Sequence, residues 1–401
     1  MKKIFEGLKV IDCGSFIAAP AAATVLSDFG ADVIKIEPPG SGDPSRNIPK
    51  LPGTPKSEHN YSWLLCNRNK RGLALDLSKV EAQAVLHRLA SQADVFITNY
   101  PLAVRQRLAI GYDALAALNE RLVYASFTGY GERGDEASKP GFDLTAYWAR
   151  SGLMDLIRTE ADAPPVRPPP GMGDFPSGVA LFGAIVTALY ERERTGKGMQ
   201  VGSSLMANGL WANGFQTQAA LCGATFTPRP PREQGFNALS TYYRCRDQRW
   251  LNLTILNEER QWPVLAKCLG REDLTSDERF AQQSGRFAHS AALIAILDQA
   301  FATRDHSDWR TLLGASGIVF EVVAVAEDIV ADRQSLANGF CVPFEGGGAM
   351  LSLDSPFFVS GAEKVKPRLA PAVGQHSDEI LHEAGYDAAA IQDLRASKAI
   401  A

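Results

Sequence analysis

The chain has 401 residues, 45% of them apolar and 21% charged, with 41 basic against 45 acidic side chains and a formal net charge of −4. Such a composition belongs to a globular protein too long for one ordinary domain, so a large core with a smaller second domain is the natural expectation. It excludes the usual nucleic-acid binder, which would carry a strong basic excess or stripe.

Taken in chain order, residues 8–12 (LKVID) read as a short strand, 18–29 as a small-residue helix closed by Gly30, and 32–37 (DVIKIE) as a second strand. The pattern repeats with a strand at 72–77, a helix at 80–92, a strand at 94–98 and another at 122–127. Strands alternating with helices predict an α/β fold with a doubly wound, mostly parallel sheet. A proline-rich stretch at 163–170 can be neither helix nor central strand and reads as an extended connector. After it comes Gly171-Met172-Gly173-Asp174-Phe175-Pro176-Ser177-Gly178, then a helix from 179 to about 194 ended by Gly196 and Gly198. A second irregular stretch at 225–232 marks a boundary. The expected organisation is a large domain over 1–224, a smaller α+β domain over 225–317 with a strand at 250–255, and a return to the large domain over 318–401.

The glycine-flanked Asp174 is the sharpest chemical feature. Glycines let a backbone or ligand approach closely, and free N–H groups at a helix start can hold a developing oxyanion. A carboxylate there is expected to be ionised, as a nucleophile requires. The same residue also suits an N-cap, with Pro176 near the first helical position. Two further clusters follow predicted strands, where open α/β sheets bind ligands: residues 38–46 (PPGSGDPSR), and Asn99-Tyr100 with Arg105 and Arg107. Several chemistries lack their signatures: there is no G-x-G-x-x-G after a strand, no P-loop, no G-x-S-x-G and no H-E-x-x-H. The six cysteines form no C-x-x-C pair and no zinc spacing, which fits a reducing compartment and no metal. Residues 1–7 lack the apolar run of a secretory signal, and the apolar stretch at 179–190 is too short to span a bilayer, so a cytoplasmic protein free of membranes is expected.

Eight stretches in order resemble the class III CoA-transferase family, also called CaiB/BaiF. They are GLKVID at 7–12, LSDFGADVIKIE at 26–37, GSGD at 40–43, NRNKR at 67–71, LDL at 75–77, SFTGYG at 126–131, GD at 173–174 and TGKG at 195–198. The resemblance implies that Asp174 is the nucleophile. It implies that CoA is held by Phe16, Ile17, Ala18, Leu75, Asp76, Leu77, Ser78, Asn99, Tyr100, Arg107, Thr128, Gly129 and Tyr130. It further implies acyl-CoA and carboxylic acids as substrates, no tightly bound cofactor, and a homodimer whose chains interlock like rings. Two positions depart from the family pattern. Ile17 stands where oxalate-type enzymes have glutamine, and Pro38 stands where many members have an arginine that Arg46 is placed to replace. The related racemases carry G-H-D-[IL], with histidine as an acid/base group. Here the segment is Gly141-Phe142-Asp143-Leu144, and phenylalanine cannot transfer a proton. The segment 140–153 resembles transferases of aryl or bulky acids, with Phe16, Ile17, Phe142 and Trp148 as the expected acceptor wall. Backbone N–H groups of 171–173 or of Gly129 are the oxyanion-hole candidates. An acyl-CoA racemase or isomerase, and a non-catalytic CoA-binding protein, are the alternative readings.

Overall fold

Six short strands rich in apolar residues form one parallel sheet in the computed structural model, which describes residues 3–401. The elements begin β1 (Lys9–Cys13), α1 (Ala18–Asp28), β2 (Asp32–Glu37), α2 (Tyr61–Asn67), β3 (Arg71–Ala74), α3 (Val80–Ala90) and β4 (Val95–Thr98). They continue α4 (Leu102–Arg107), α5 (Tyr112–Ala116), β5 (Val123–Thr128), α6 (Leu153–Leu156), α7 (Asp174–Thr195), β6 (Gln200–Ser204), α8 (Leu205–Ala212) and α9 (Gly214–Leu221). The strand order is β3-β2-β1-β4-β5-β6, every pair parallel. This is the doubly wound arrangement, in which the chain leaves β1 and β4 on opposite sides and opens a crevice beyond their carboxyl ends.

Strand alternation divides the core. Val10, Val33, Val95, Ile97, Val123 and Ala125 face α1 and α7, whereas Ile11, Phe96 and Tyr124 face α3 and the two C-terminal helices at Ser377–Glu383 and Ala388–Ala396. Helix α1 packs tightly on α7 because both are small-faced at the contact. A Cβ on Gly178 would lie 2.8 Å from the Ala18 carbonyl oxygen and 2.9 Å from the Ala21 methyl. Only glycine admits that approach.

Helix α7 begins at Asp174, five residues before the expected 179, and ends as expected at Gly196, whose φ of +74° closes it in the left-handed conformation. The early start arises because Pro176 sits in the first turn, where no N–H is required, and so does not delay the helix.

By contacts the chain divides into two units. The first comprises the described residues through Leu156, with Arg167–Gly223 and Arg333–Ala401. The second comprises Ile157–Val166 and Ala224–Asp332. Its extent differs from the expected 225–317, because Phe320–Val322 hydrogen-bonds along Trp250–Leu253 as the third strand of a small antiparallel sheet. That sheet and its helices enclose a separate core containing Tyr243, Trp262, Phe301 and Trp309. Among the described residues no helix is long and apolar enough to cross a membrane, and no group of three or more His, Cys, Asp or Glu side chains is placed to hold a metal ion.

Candidate active site

The loops that follow β1, β4 and β5 converge with the start of α7 on a small cavity of about 70 Å³. Its lining is Ser15, Phe16, Ile17, Ala18, Asn99, Phe127, Thr128, Gly129, Gly141, Asp174 and Leu205. This is the β1/β4 switch point, where open α/β sheets hold their ligands. Asp174 is the one ionisable side chain in that lining.

Asp174 is the first residue of α7, with Gly173 at the N-cap, and no hydrogen bond is among the influences on its carboxyl group. The capping role open to it in the sequence is therefore not taken up. Nor is its carboxyl group held ionised. Burial, and secondarily the neighbouring carboxylate of Asp143, push it up to about 7. Desolvation and a like charge outweigh the helix terminus here.

Asp143 is the neighbour that the sequence left without a role. It opens a π-helical turn, Asp143–Ala149, and is 4% exposed. Its Oδ2 accepts the Gly171 N–H at 2.6 Å and its Oδ1 accepts the Gly173 N–H at 3.0 Å. Those N–H groups were oxyanion-hole candidates; with Asp143 bonded to them they are not free for a substrate. Gly129, in the cavity lining, is the candidate that remains. The signal for Asp143 was an acidic residue inside a family-like motif, overlooked beside the residue at 142.

The β1 loop is held by side chains from two other loops. Phe16 has a φ of +62°, a conformation that costs a bulky residue about 1–3 kcal/mol and needs support. Asp43 supplies it by accepting the Phe16 N–H at 3.1 Å. Asn99 binds Ser15 at two points, accepting its N–H at 2.9 Å and donating to its carbonyl at 2.8 Å. Burial alone would raise the Asp43 carboxyl, but Lys35 at 2.9 Å outweighs it and holds the group below the usual carboxylate range. Lys35 also neighbours Asp12, which pairs with Lys70 at 2.7 Å, so a buried ion network underlies the loop.

The expected binding positions separate into two sets. Phe16, Ile17, Ala18, Asn99, Thr128 and Gly129 line the cavity with Asp174. Leu75, Asp76, Leu77, Ser78, Tyr100, Arg107 and Tyr130 do not. Leu75 and Leu77 are buried in the core beyond β3, and Asp76 accepts the Ser78 N–H and hydroxyl in a local turn. Tyr100 is half-buried, and its carbonyl oxygen accepts a hydrogen bond from Arg105. Arg105 is itself buried and paired with Glu132, whereas Arg107 is exposed on the last turn of α4. Tyr130 packs beside Lys139, whose ammonium lies 5.0 Å from the ring centre. Arg46, the candidate replacement for the arginine missing at 38, is engaged within the protein. It forms two 2.8 Å bonds to Glu37, donates to the Pro371 carbonyl and stacks 3.6 Å over Trp63.

Phe16 meets Phe142 edge to face with ring centres 5.5 Å apart. Phe142 is 57% exposed, so this aromatic pair stands at the surface beside the cavity. Trp148 packs against Tyr147 and the core around α1 and α7.

Residues 5–377 match the model of CoA-transferase family III. The chain is similar to (R)-2-hydroxy-4-methylpentanoate CoA-transferase of Clostridioides difficile, 33% identical and covering 99% of each chain. It is similar to cinnamoyl-CoA:phenyllactate CoA-transferase of Clostridium sporogenes, 31% identical over 99% of this chain and 97% of that one. Among solved structures, a CAIB/BAIF family protein from Brucella suis superposes with a TM-score of 0.86 at 29% identity, covering 96% of this chain and 100% of its own.

Proposed function

The chain belongs to CoA-transferase family III, and from that premise we propose that it moves CoA from an acyl-CoA donor to a carboxylic acid acceptor through covalent intermediates on Asp174. The observation that carries this reading is a lone carboxyl group at the wall of a small cavity at the sheet's switch point.

A carboxylate oxygen of Asp174 attacks the thioester carbonyl. A C–O bond forms, the C–S bond breaks, and the CoA thiolate leaves with the electron pair, giving an acyl–aspartyl anhydride. The thiolate then attacks the aspartyl carbonyl carbon and displaces the donor carboxylate, leaving an aspartyl–CoA thioester. The acceptor carboxylate attacks that carbon and expels the thiolate, which takes the acceptor's acyl group and frees Asp174. No net proton is transferred, and the thioester's energy is kept throughout. A carboxyl group that ionises near pH 7 is a stronger nucleophile, once ionised, than an ordinary aspartate. The narrow cavity keeps water from the anhydride, and Gly129 offers its N–H to the developing oxyanion.

The acceptor is a monocarboxylic acid with a bulky apolar or aryl side chain. No cationic side chain lines the cavity to meet a second carboxylate, and the Phe16–Phe142 pair stands beside it. The substrates named for the two relatives, (R)-2-hydroxy-4-methylpentanoate and phenyllactate, are of that kind. Coenzyme A contacts are assigned to Phe16, Ile17, Ala18, Asn99, Thr128 and Gly129 around the thioester. Leu75–Ser78, Tyr100, Arg107 and Tyr130 are left for the more distant parts of the cofactor. The chain acts as a homodimer of interlocked protomers, a reading supported by the apolar face of α8 and α9, where Trp211 and Phe215 are each 87% exposed.

Intact-protein mass spectrometry tests the chemistry. Wild type and Asp174→Ala are incubated with aliphatic, aryl and dicarboxylic acyl-CoAs and trapped with hydroxylamine or borohydride. Modification at Asp174, absent from the variant and strongest with apolar monocarboxylic donors, is expected. Exchange of the Cα proton without any adduct would instead establish a racemase.

A further inference from the structure

The Asp174 carboxyl group is acted on by burial and by Asp143, with no hydrogen bond among the influences on it, so the side chain's placement depends on the three residues before it. Those residues are held from across the crossover between β5 and β6. We propose that Asp143 is a positioning residue for the transfer, its single carboxylate clamping the Gly171 and Gly173 N–H groups so that the next side chain in the sequence enters the cavity. The proposal rests on the reading of Asp174 as nucleophile.

Three observations support it. The two bonds, at 2.6 and 3.0 Å, come from both oxygens of one carboxylate to residues two apart, which fixes the orientation of the intervening peptides as well as their position. The clamp is nearly sealed from solvent, where such bonds are strongest, since Asp143 is 4% exposed and both glycines are buried. Finally, the contact leaves no room for another residue type: a Cβ on Gly173 would collide with the Asp143 carboxylate and the Tyr147 ring. The glycine before the nucleophile is therefore required by the clamp.

The clamp also has an electrostatic effect. Asp143 is the one neighbouring charge that acts on Asp174. The other titratable groups facing this corner are Tyr147 on the same turn as Asp143 and Cys66 on α2, and burial keeps both neutral. Helix α1 sets Ala18, Ala21 and Ala22 against Gly178 near this end of α7, and its Asp28 is paired with Arg68 at the far end. Neutralising Asp143 should therefore ease ionisation of Asp174.

The test is Asp143→Asn, which keeps the shape but sets an amide N–H against a backbone N–H. The expected result is a fall in kcat of about a hundredfold, as a misplaced reacting group gives, with KM for acyl-CoA within about threefold of wild type. The acidic limb of kcat/KM should move to lower pH by about one unit. A purely structural role would lower the folded fraction without moving that limb. A variant with wild-type kcat and an unmoved limb would overturn the proposal while leaving the Asp174 adduct, and hence the nucleophile reading, intact. Failure of wild type to form the adduct would overturn that reading, and the proposal with it. Should the variant not fold, hydrogen exchange in wild type decides. Slow exchange of the Gly171 and Gly173 amides supports the clamp, and exchange at the rate of an open loop overturns it.

Discussion

Asp174 is a carboxyl group removed from water and set beside a second carboxyl, and its ionisation is coupled to folding as well as to chemistry. Its folded-state pKa of about 7 lies above the ordinary value of 3.8, so folding favours the protonated form. The stability it contributes is complete below 3.8 and is lost as pH rises through 7. Replacing it by asparagine, which cannot ionise, should stabilise the protein at pH 8 by about 1–3 kcal/mol, with the gain vanishing near the pH at which both states are protonated. Urea titrations of wild type and Asp174→Asn at the two pH values measure this. A constant difference between them would mean that Asp174 ionises as an ordinary exposed aspartate does. An enzyme that gains stability by losing its nucleophile is the usual sign of a site arranged for reaction.

At the scale of elements, the proposed nucleophile is delivered by the packing of one helix on another. Gly178→Ala inserts a methyl group into the Ala18–Ala21 contact and drives α7 away from α1. We expect a loss of about 1–3 kcal/mol in stability, as overpacking typically gives, and a larger fractional loss in kcat than in thermal stability. Activity unaffected by that shift would show that α7 need not hold its place. The strands and their helices were legible because parallel, doubly buried strands are short apolar runs bounded by turn residues, and 32–37 after Gly30 and 94–98 before Asn99 carry that signature. Phe16 and Thr128 were legible as cavity-lining positions because they sit at or just after strand ends, and Asp174 because glycines flank it at the start of an apolar helix. What could not be read was which polar groups spend their hydrogen bonds on the protein itself. Asn99 pairs with Ser15, Arg46 with Glu37, and Gly171 and Gly173 with Asp143, across separations of up to 84 residues that no local pattern reveals. The third strand of the small sheet was missed for the same reason, since Phe320–Val322 is identified by its partner, not by its three residues.

At the scale of the whole molecule, a single chain leaves large apolar side chains exposed on one helix pair. Trp211 and Phe215 are exposed on successive helices, with Leu221 at the end of the same pair, a group of large apolar side chains of the kind that marks an association surface. Sedimentation of wild type should give twice the chain mass. The double substitution Trp211→Glu with Phe215→Glu should shift it towards one chain with loss of transfer activity. A wild type that sediments as a single active chain would exclude the dimer. The crossover between β5 and β6 has a consequence for descent. It carries Phe142, Asp143 and Asp174 on one continuous length of polypeptide, while the strands supply only the floor on which they land. Recombination with breakpoints inside the two strands would pass on the proposed reactive group, its proposed clamp and the exposed Phe142 as a matched inheritance. A breakpoint between residues 143 and 171 would join a carboxylate to glycines that had never been selected to receive it.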